Sequence, residues 1–89
     1  MIKVGKISDQ TFKVTVEEKV KTTHHVTVSP QIYQKLTDGK MPIERLVEAS
    51  FEFLLQREPN TSILRSFDLP VIGRYFPEYE QTIRGMIGS

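Results

Sequence analysis

The sequence predicts a small α+β domain, and three observations support that prediction. Residues 11–17 and residues 22–28 alternate apolar with polar side chains, which is typical of half-buried β-strands. Residues 42–58 instead repeat apolar side chains every three or four positions, which is typical of an amphipathic helix. The chain has 89 residues, of which 38% are hydrophobic and 26% charged, and this suits one globular core. We therefore expect residues 1–89 to form a single domain.

The two alternating segments are expected to form an antiparallel β-hairpin. Their apolar residues share one face only if the connecting loop has an odd number of residues, because a shift by one turns every side chain to the other face. We expect a five-residue loop over residues 18–22, with the pairs Phe12–Val28, Val14–Val26 and Val16–His24. This register places His24 at the rim of the apolar face. The other face would present polar side chains to water, namely Lys13, Thr15, Glu17, Thr23, His25 and Thr27.

The elements before and after the hairpin are marked by local signals. Residues 1–7 alternate more weakly, and they form either a third strand at the edge or a loose arm. Ser29 is a suitable N-cap for a short helix with Pro30 at its first position, and Gly39 is suited to the left-handed end of that helix. The main helix over residues 42–58 follows, and Pro59 ends it.

The C-terminal third is expected to wrap helically over the sheet or the main helix. Two short helices are predicted, over residues 63–67 and 71–76. Residues 78–89 form an amphipathic segment that ends in Gly-Ser, and we expect it to fray. The predicted architecture is thus a hairpin, with or without a third strand, packed on one main helix, with a shorter helix and a helical C-terminal wrap.

Composition excludes several classes of function. The chain has no cysteine, which excludes a disulfide framework and thiolate chemistry. It has no run of eighteen apolar residues and no apolar region typical of a signal peptide at its start, so we expect a cytoplasmic protein without a membrane partner. The net charge of +1 and pI of about 8.0 are lower than is usual for nucleic-acid-binding domains.

Two groups of titratable residues were considered as chemical sites. His24 and His25 are neighbours on a strand, so they point to opposite faces and do not bind one metal ion together. No further ligands lie at the spacing of a zinc site. An acidic row on the main helix, formed by Glu44, Glu48 and Glu52, lies opposite the apolar stripe and is expected to be solvated rather than catalytic. We therefore predict no metal, no cofactor and no catalytic residues.

A mixture of polar and aromatic side chains near the C-terminus has two interpretations. It consists of Arg65, Asp68, Arg74, Tyr75, Glu78 and Tyr79. Either Arg74 presents a cation beside aromatic rings to a partner or ligand, or it pairs with Asp68 or Glu78 while the rings fill the core. A small enzyme is the function that we rank last, and it would need a pocket lined by the polar groups of this region.

The function expected first is a non-catalytic protein-interaction module that self-associates or binds a partner protein. Residues 63–76 are more apolar than one small core is expected to cover, and large exposed apolar patches usually mark interfaces. Phe53 lies outside the main apolar stripe of its helix, which predicts a contact on a second side. The candidate interface residues are Phe53, Leu69, Val71, Ile72, Tyr75 and Phe76.

The order strand, helix, glycine turn, longer helix over residues 23–56 resembles the ribbon-helix-helix family of bacterial regulators and antitoxins. The resemblance implies a strand that pairs with the same strand of a second subunit and enters the DNA major groove, and a second helix that begins at a phosphate. His25 and Thr27, with Thr23, would then read bases. The amides of residues 40–43 would bind phosphate, and Lys13 and Lys40 would strengthen binding.

The C-terminal segment ILRSFDLPVIGRYFPEYE resembles small bacterial proteins, a resemblance that implies no activity. DNA binding is therefore the alternative to the protein-interaction module.

Overall fold

The computed structural model describes residues 1–88, and it confirms the α+β class. One mixed sheet has the strand order β1 (Ile2–Lys6), β2 (Thr11–Glu17), β3 (Lys21–Thr27) and β4 (Ser66–Asp68). The helices are α1 (Pro30–Thr37), α2 (Ile43–Leu55), α3 (Val71–Tyr75) and α4 (Tyr79–Gly88), and a 3-10 turn spans Asn60–Ser62. No helix within residues 1–88 combines the length and the apolar character needed to cross a membrane.

The β2–β3 hairpin has the predicted odd loop, but the loop is shorter than expected. It comprises residues 18–20, and Phe12 therefore lies opposite Val26, and Val14 opposite His24. A shift of two residues leaves every side chain on its predicted face, so the apolar pattern alone did not exclude this register. The predicted position of His24 at the rim is consequently wrong, because the side chain is completely buried in the middle of the apolar face.

The N-terminal segment forms the edge strand rather than a loose arm. In β1, Ile2 lies opposite Val16 and Val4 opposite Val14, so its apolar side chains extend the buried face of the sheet. On the other face, Lys3 Nζ lies 3.0 Å from Glu17 Oε1. The alternation in residues 1–7, although weak, is therefore a strand signal.

The predicted helix over residues 63–67 is wrong, because this segment is extended and leads into β4. The amide of His25 donates to the carbonyl oxygen of Arg65 at 2.8 Å, and the amide of Leu69 donates to the carbonyl oxygen of Thr27 at 2.9 Å. Without this parallel pairing, one edge of β3 would lack partners for its backbone N–H and C=O groups. Phe67 and Leu69 alternate with the polar residues Ser66 and Asp68, but Arg65 interrupts the same phase, so the period-two pattern is short.

Helix α2 packs on two sides. Towards the sheet, the Phe51 ring lies 5.3 Å from His24 and 6.1 Å from Phe67, measured between ring centroids. On its second side, the Phe53 ring meets Phe76 at 5.9 Å and Tyr79 at 5.3 Å, both edge to face. The second contact predicted for Phe53 thus exists and is made within the chain, by the end of α3 and the start of α4.

The ends of the helices largely follow the sequence signals. The Ile32 amide donates to Ser29 Oγ at 3.2 Å, which confirms the N-cap, and Gly39 has the left-handed φ of 70° after Asp38 with φ 55°. Helix α2 ends at Leu55 instead of residue 58, although the amide of Glu58 still donates to the carbonyl oxygen of Leu54 at 2.9 Å.

Helix α4 closes the fold by packing on α1 and α2. Its buried residues Tyr79 and Ile83 complete the core, and Tyr79 Oη lies 2.6 Å from Ser50 Oγ on α2. Burial raises the pKa of the Tyr79 phenol, so this hydroxyl stays protonated and hydrogen-bonded. Fraying of residues 78–89 stays a prediction, and Ser89 lies outside the described residues.

Candidate functional site

The candidate site is an apolar groove of about 310 Å³, between the end of α2, the segment leading into β4, and α3. We call this pocket and its rim the groove. Seven of its lining residues are apolar, namely Leu54, Ile63, Leu64, Phe67, Val71, Ile72 and Phe76. The polar side chains are those of Glu58, Ser62 and Tyr75. A concave apolar surface with few polar groups is the usual form of a binding site.

One wall of the groove is helix α3, and its short length follows from the flanking prolines. Pro70, with φ −61°, precedes the helix, and the chain leaves the helical conformation at Phe76, just before Pro77. Val71 and Tyr75 are four residues apart and therefore lie on the same side of this single turn. Both side chains line the groove.

The wall of the groove opposite α3 is the segment 62–64 that leads into β4, and a buried polar network attaches this segment to the sheet. His24 Nδ1 lies 2.7 Å from the carbonyl oxygen of Leu64, which accepts hydrogen bonds only, so Nδ1 carries the proton and donates. His24 Nε2 then accepts from the Thr22 hydroxyl at 2.9 Å, and that hydroxyl accepts from Asn60 Nδ2 at 2.9 Å. Asn60 Nδ2 also donates to the carbonyl oxygen of Val20 at 2.7 Å. The network holds residues 60–64 against the hairpin and so positions Leu64.

His24 is held in its neutral form by this environment. Burial of the ring lowers its pKa, and the nearby positive charges of Arg65 and His25 lower it further. The hydrogen bond to Leu64 acts in the opposite direction but is outweighed. Acidification should therefore weaken the attachment of residues 60–64 to β3.

The rim of the groove exposes large apolar side chains to solvent. Tyr75 is 67% exposed and Leu64 is 47% exposed. The other strongly exposed large apolar side chains within residues 1–88 are Met1, Ile7 and Val20, which do not line the groove. Single exposed apolar residues are normal on protein surfaces, but these two border the same apolar concavity.

Glu58 is the acidic group of the groove. Partial burial raises the pKa of its carboxyl group, because the charged form loses hydration there. Within residues 1–88, no basic nitrogen lies within 4.0 Å of this carboxylate. A cation brought to the groove would therefore stabilise a charge that the folded chain leaves partly desolvated.

Arg74 forms neither of the ion pairs considered from the sequence. Glu78 pairs instead with Arg57, whose Nε lies 3.2 Å from Glu78 Oε2. Within residues 1–88, neither Asp68 nor any other acid lies within ion-pair distance of Arg74, and its side chain is exposed next to Tyr75. The ion pairs of the second interpretation are therefore wrong, whereas the Tyr79 ring fills the core as that interpretation expects. Contact of Arg74 with a partner or ligand stays a prediction.

The structure divides the six candidate interface residues into two groups. Phe53 and Leu69 are completely buried, and Ile72 is buried in the base of the groove. Val71, Tyr75 and Phe76 line the groove with exposed or half-buried side chains. Sequence reasoning missed Glu58, Leu64 and Phe67. The alternation of Phe67 and Leu69 with polar residues was a short strand signal, whereas Leu64 lies in the opposite phase and had no such signal.

The residues considered for DNA binding are only partly brought together. Lys13 and His25 lie opposite each other on β2 and β3, on the sheet face that turns away from the helices, with Thr23 and Thr27 on the same face. Lys40 lies in the connection between α1 and α2. Strand β3 pairs with β2 along its length on one side, and its residues 25–27 pair with β4 on the other. Pairing of β3 with the strand of a second copy, which the ribbon-helix-helix resemblance implies, stays a prediction.

Two residues of the acidic row on α2, Glu48 and Glu52, form ion pairs with Arg45. Arg45 Nη1 lies 2.7 Å from Glu48 Oε1 and 3.1 Å from Glu52 Oε1. In the part of the chain that the structure describes, no three His, Asp or Glu side chains are grouped so that they could hold a metal ion.

The structure is thus a small α+β fold with an apolar groove between α2, α3 and the segment leading into β4. The chain matches no protein-family model, no curated protein and no solved structure. The assignment of function therefore depends on the groove itself.

Proposed function

We propose that this protein is a non-catalytic protein-interaction module that self-associates through the groove. The observation that supports this proposal is the position of Tyr75 and Leu64, both strongly exposed, at the rim of an apolar pocket of about 310 Å³. Removing apolar surface from water stabilises an association by roughly 25 cal/mol per Å². Aromatic side chains at the centre of such a surface typically contribute most of the binding energy.

The groove would be the centre of the interface rather than all of it. A stable interface buries roughly 800 Å² on each partner, which is about 15% of the 5297 Å² surface of this chain. The lining residues alone do not supply that area, so the contact must extend over the neighbouring polar surface. Apolar centres with polar rims are the usual anatomy of protein interfaces.

Replacing Tyr75 by alanine should weaken self-association at least about tenfold, because it removes the most exposed aromatic ring of the groove. The measurement is the molar mass by sedimentation equilibrium or light scattering over a range of protein concentrations. The Val20→Ala variant is the matched control, since Val20 is 55% exposed in the hairpin loop and does not line the groove. A wild-type chain that stays monomeric, or a Tyr75→Ala variant that associates as well as the wild type, would contradict the proposal.

DNA binding is the second candidate, because Lys13 and His25 face each other on an open sheet surface. Binding through this surface would be dominated by phosphate contacts, since His and Thr lack the bidentate geometry of the strongest base readers. We expect the affinity for a random duplex to fall steeply with salt, and Lys13→Ala to weaken it. Fluorescence anisotropy at low and high salt is the measurement, and absence of binding at low salt would eliminate this candidate.

A further inference from the structure

The groove has the chemistry of a receptor for a side-chain pair that combines an aromatic ring with a cation. Its walls are apolar, and its acidic group, Glu58, is partly desolvated and lacks an ion-pair partner in residues 1–88. A ring would fill the apolar volume, and a guanidinium beside it would satisfy the carboxylate with charge-assisted hydrogen bonds. A neutral ligand would satisfy the apolar walls only.

The chain displays both groups on α3, where Tyr75 lines the groove and Arg74 precedes it in the sequence. Arg74 and Tyr75 are adjacent and exposed at the end of α3, and within the described residues Arg74 has no acidic partner. A surface that contains both a receptor and its complement is self-complementary, which is the requirement of a two-fold symmetric interface. In such an interface each contact occurs twice.

We propose that two copies of this chain form a two-fold symmetric dimer by reciprocal exchange across the groove. The Tyr75 ring of each copy enters the groove of the other, and the Arg74 guanidinium pairs with the partner's Glu58. This inference rests on the proposed self-association and specifies the surface and the pairing that produce it. The two ion pairs fix the register of the dimer, while the two buried rings provide the apolar contact.

Two other exposed cations lie near the groove, and the experiment separates Arg65 from Arg74. Lys19 borders, together with Glu58, a second hollow of about 410 Å³ on the side of the hairpin loop, but it is not within ion-pair distance. Arg65 is exposed next to Leu64 and likewise has no acidic partner within residues 1–88. Of these exposed cations, Arg74 is adjacent to the exposed aromatic ring.

The test uses charge reversal on the two sides of the exchange. Glu58→Arg and Arg74→Glu each place like charges against each other twice in a homodimer, so each variant should dissociate at least about tenfold more readily than the wild type. An equimolar mixture of the two variants should regain dimerisation to within about threefold of the wild type, because both ion pairs are restored across a mixed dimer. Sedimentation equilibrium measures the association, and circular dichroism checks the fold. If Glu58→Arg does not fold, the single variants Glu58→Gln and Arg74→Glu are compared with the wild type instead, and each of them should weaken the dimer.

The outcomes distinguish this inference from the proposed function. A wild-type dimer whose association is unchanged in the Arg74 and Glu58 variants would overturn the exchange and leave self-association standing. A mixture that stays as weakly associated as its components would also overturn it. Arg65→Glu is the matched control and should dimerise like the wild type, and dissociation in this variant but not in Arg74→Glu would overturn the assigned pairing. A wild-type chain that is monomeric at every concentration would overturn both the exchange and the proposed function.

Discussion

Replacing Phe53 by alanine should lower the free energy of unfolding by about 3–5 kcal/mol, as is typical for truncation of a buried phenylalanine. The ring is completely buried between α2, α3 and α4, and it packs edge to face against Phe76 and Tyr79. The Arg57 guanidinium carbon also lies 3.6 Å from its centroid, which adds a cation–π contact. Urea unfolding followed by circular dichroism measures the change.

The Tyr75→Ala variant is the appropriate comparison, because it removes a similar ring from an exposed position. Its free energy of unfolding should change by less than about 0.5 kcal/mol when measured at concentrations where the chain is monomeric. Phe53 and Tyr75 are both among the interface residues predicted from the sequence. Replacing Phe53 should lower the stability of the fold, whereas replacing Tyr75 should weaken self-association. A Phe53→Ala variant as stable as the wild type would show that the α2–α4 packing described above is incorrect.

Acidification below about pH 6.5 should destabilise the chain through His24, because the folded state favours the neutral ring. The pKa of His24 is lowered on folding, so the unfolded chain binds more protons once the pH falls below the unfolded-state value of 6.5. The contribution of neutral His24 to the free energy of unfolding is fully present above pH 6.5 and is lost as the pH falls towards the lowered pKa of the folded state. For a single proton the slope is at most about 1.4 kcal/mol per pH unit. Urea unfolding between pH 7.5 and 5 gives this slope when compared with the His24→Gln variant, which should have lost it.

His25→Gln is the matched control for this pH dependence. His25 is exposed on the opposite face of the same strand and is the smallest of the causes that act on the pKa of His24, so its replacement should leave most of the slope between about pH 6.5 and 5 in place. The pKa values of Glu17 and Glu78 are both lowered. The main cause is a hydrogen bond from Lys3 for Glu17 and a hydrogen bond from its own backbone amide for Glu78. Protonation of these two carboxylates therefore affects stability below their ordinary pKa of 4.5, which lies outside this window. Equal slopes in the wild type and His24→Gln would contradict the role assigned to His24.

The outcome for β4 shows why part of the groove was not predictable from local signals. The short apolar run after Pro59 predicts a helix, because residues that cap helices precede apolar residues there. Whether such a run forms a helix or a strand depends on what lies next to it, and here β3 offers an unpaired edge. Only this long-range pairing brings Leu64 and Phe67 to the groove, opposite α3.

His24 illustrates the same limit within the hairpin. Its neighbour His25 and the alternating valines predicted the faces of β3 correctly, since a period of two assigns each side chain to a face. Loop lengths of three and five residues preserve those faces equally well, and the sequence pattern does not choose between them. The shorter loop moves His24 into the core, where Leu64, Thr22 and Asn60 satisfy its ring.

The sequence by itself determined the α+β class, the hairpin, the caps of α1 and the position of α2, because periodicity and capping are local properties. The tertiary structure alone decided which apolar residues are core and which are surface. Phe53 and Tyr75 are both aromatic residues in helices, but α4 covers the first and leaves the second exposed. The groove likewise depends on segments distant in sequence, namely the end of α2, the entry to β4 and α3, which are brought together by burial of a common core.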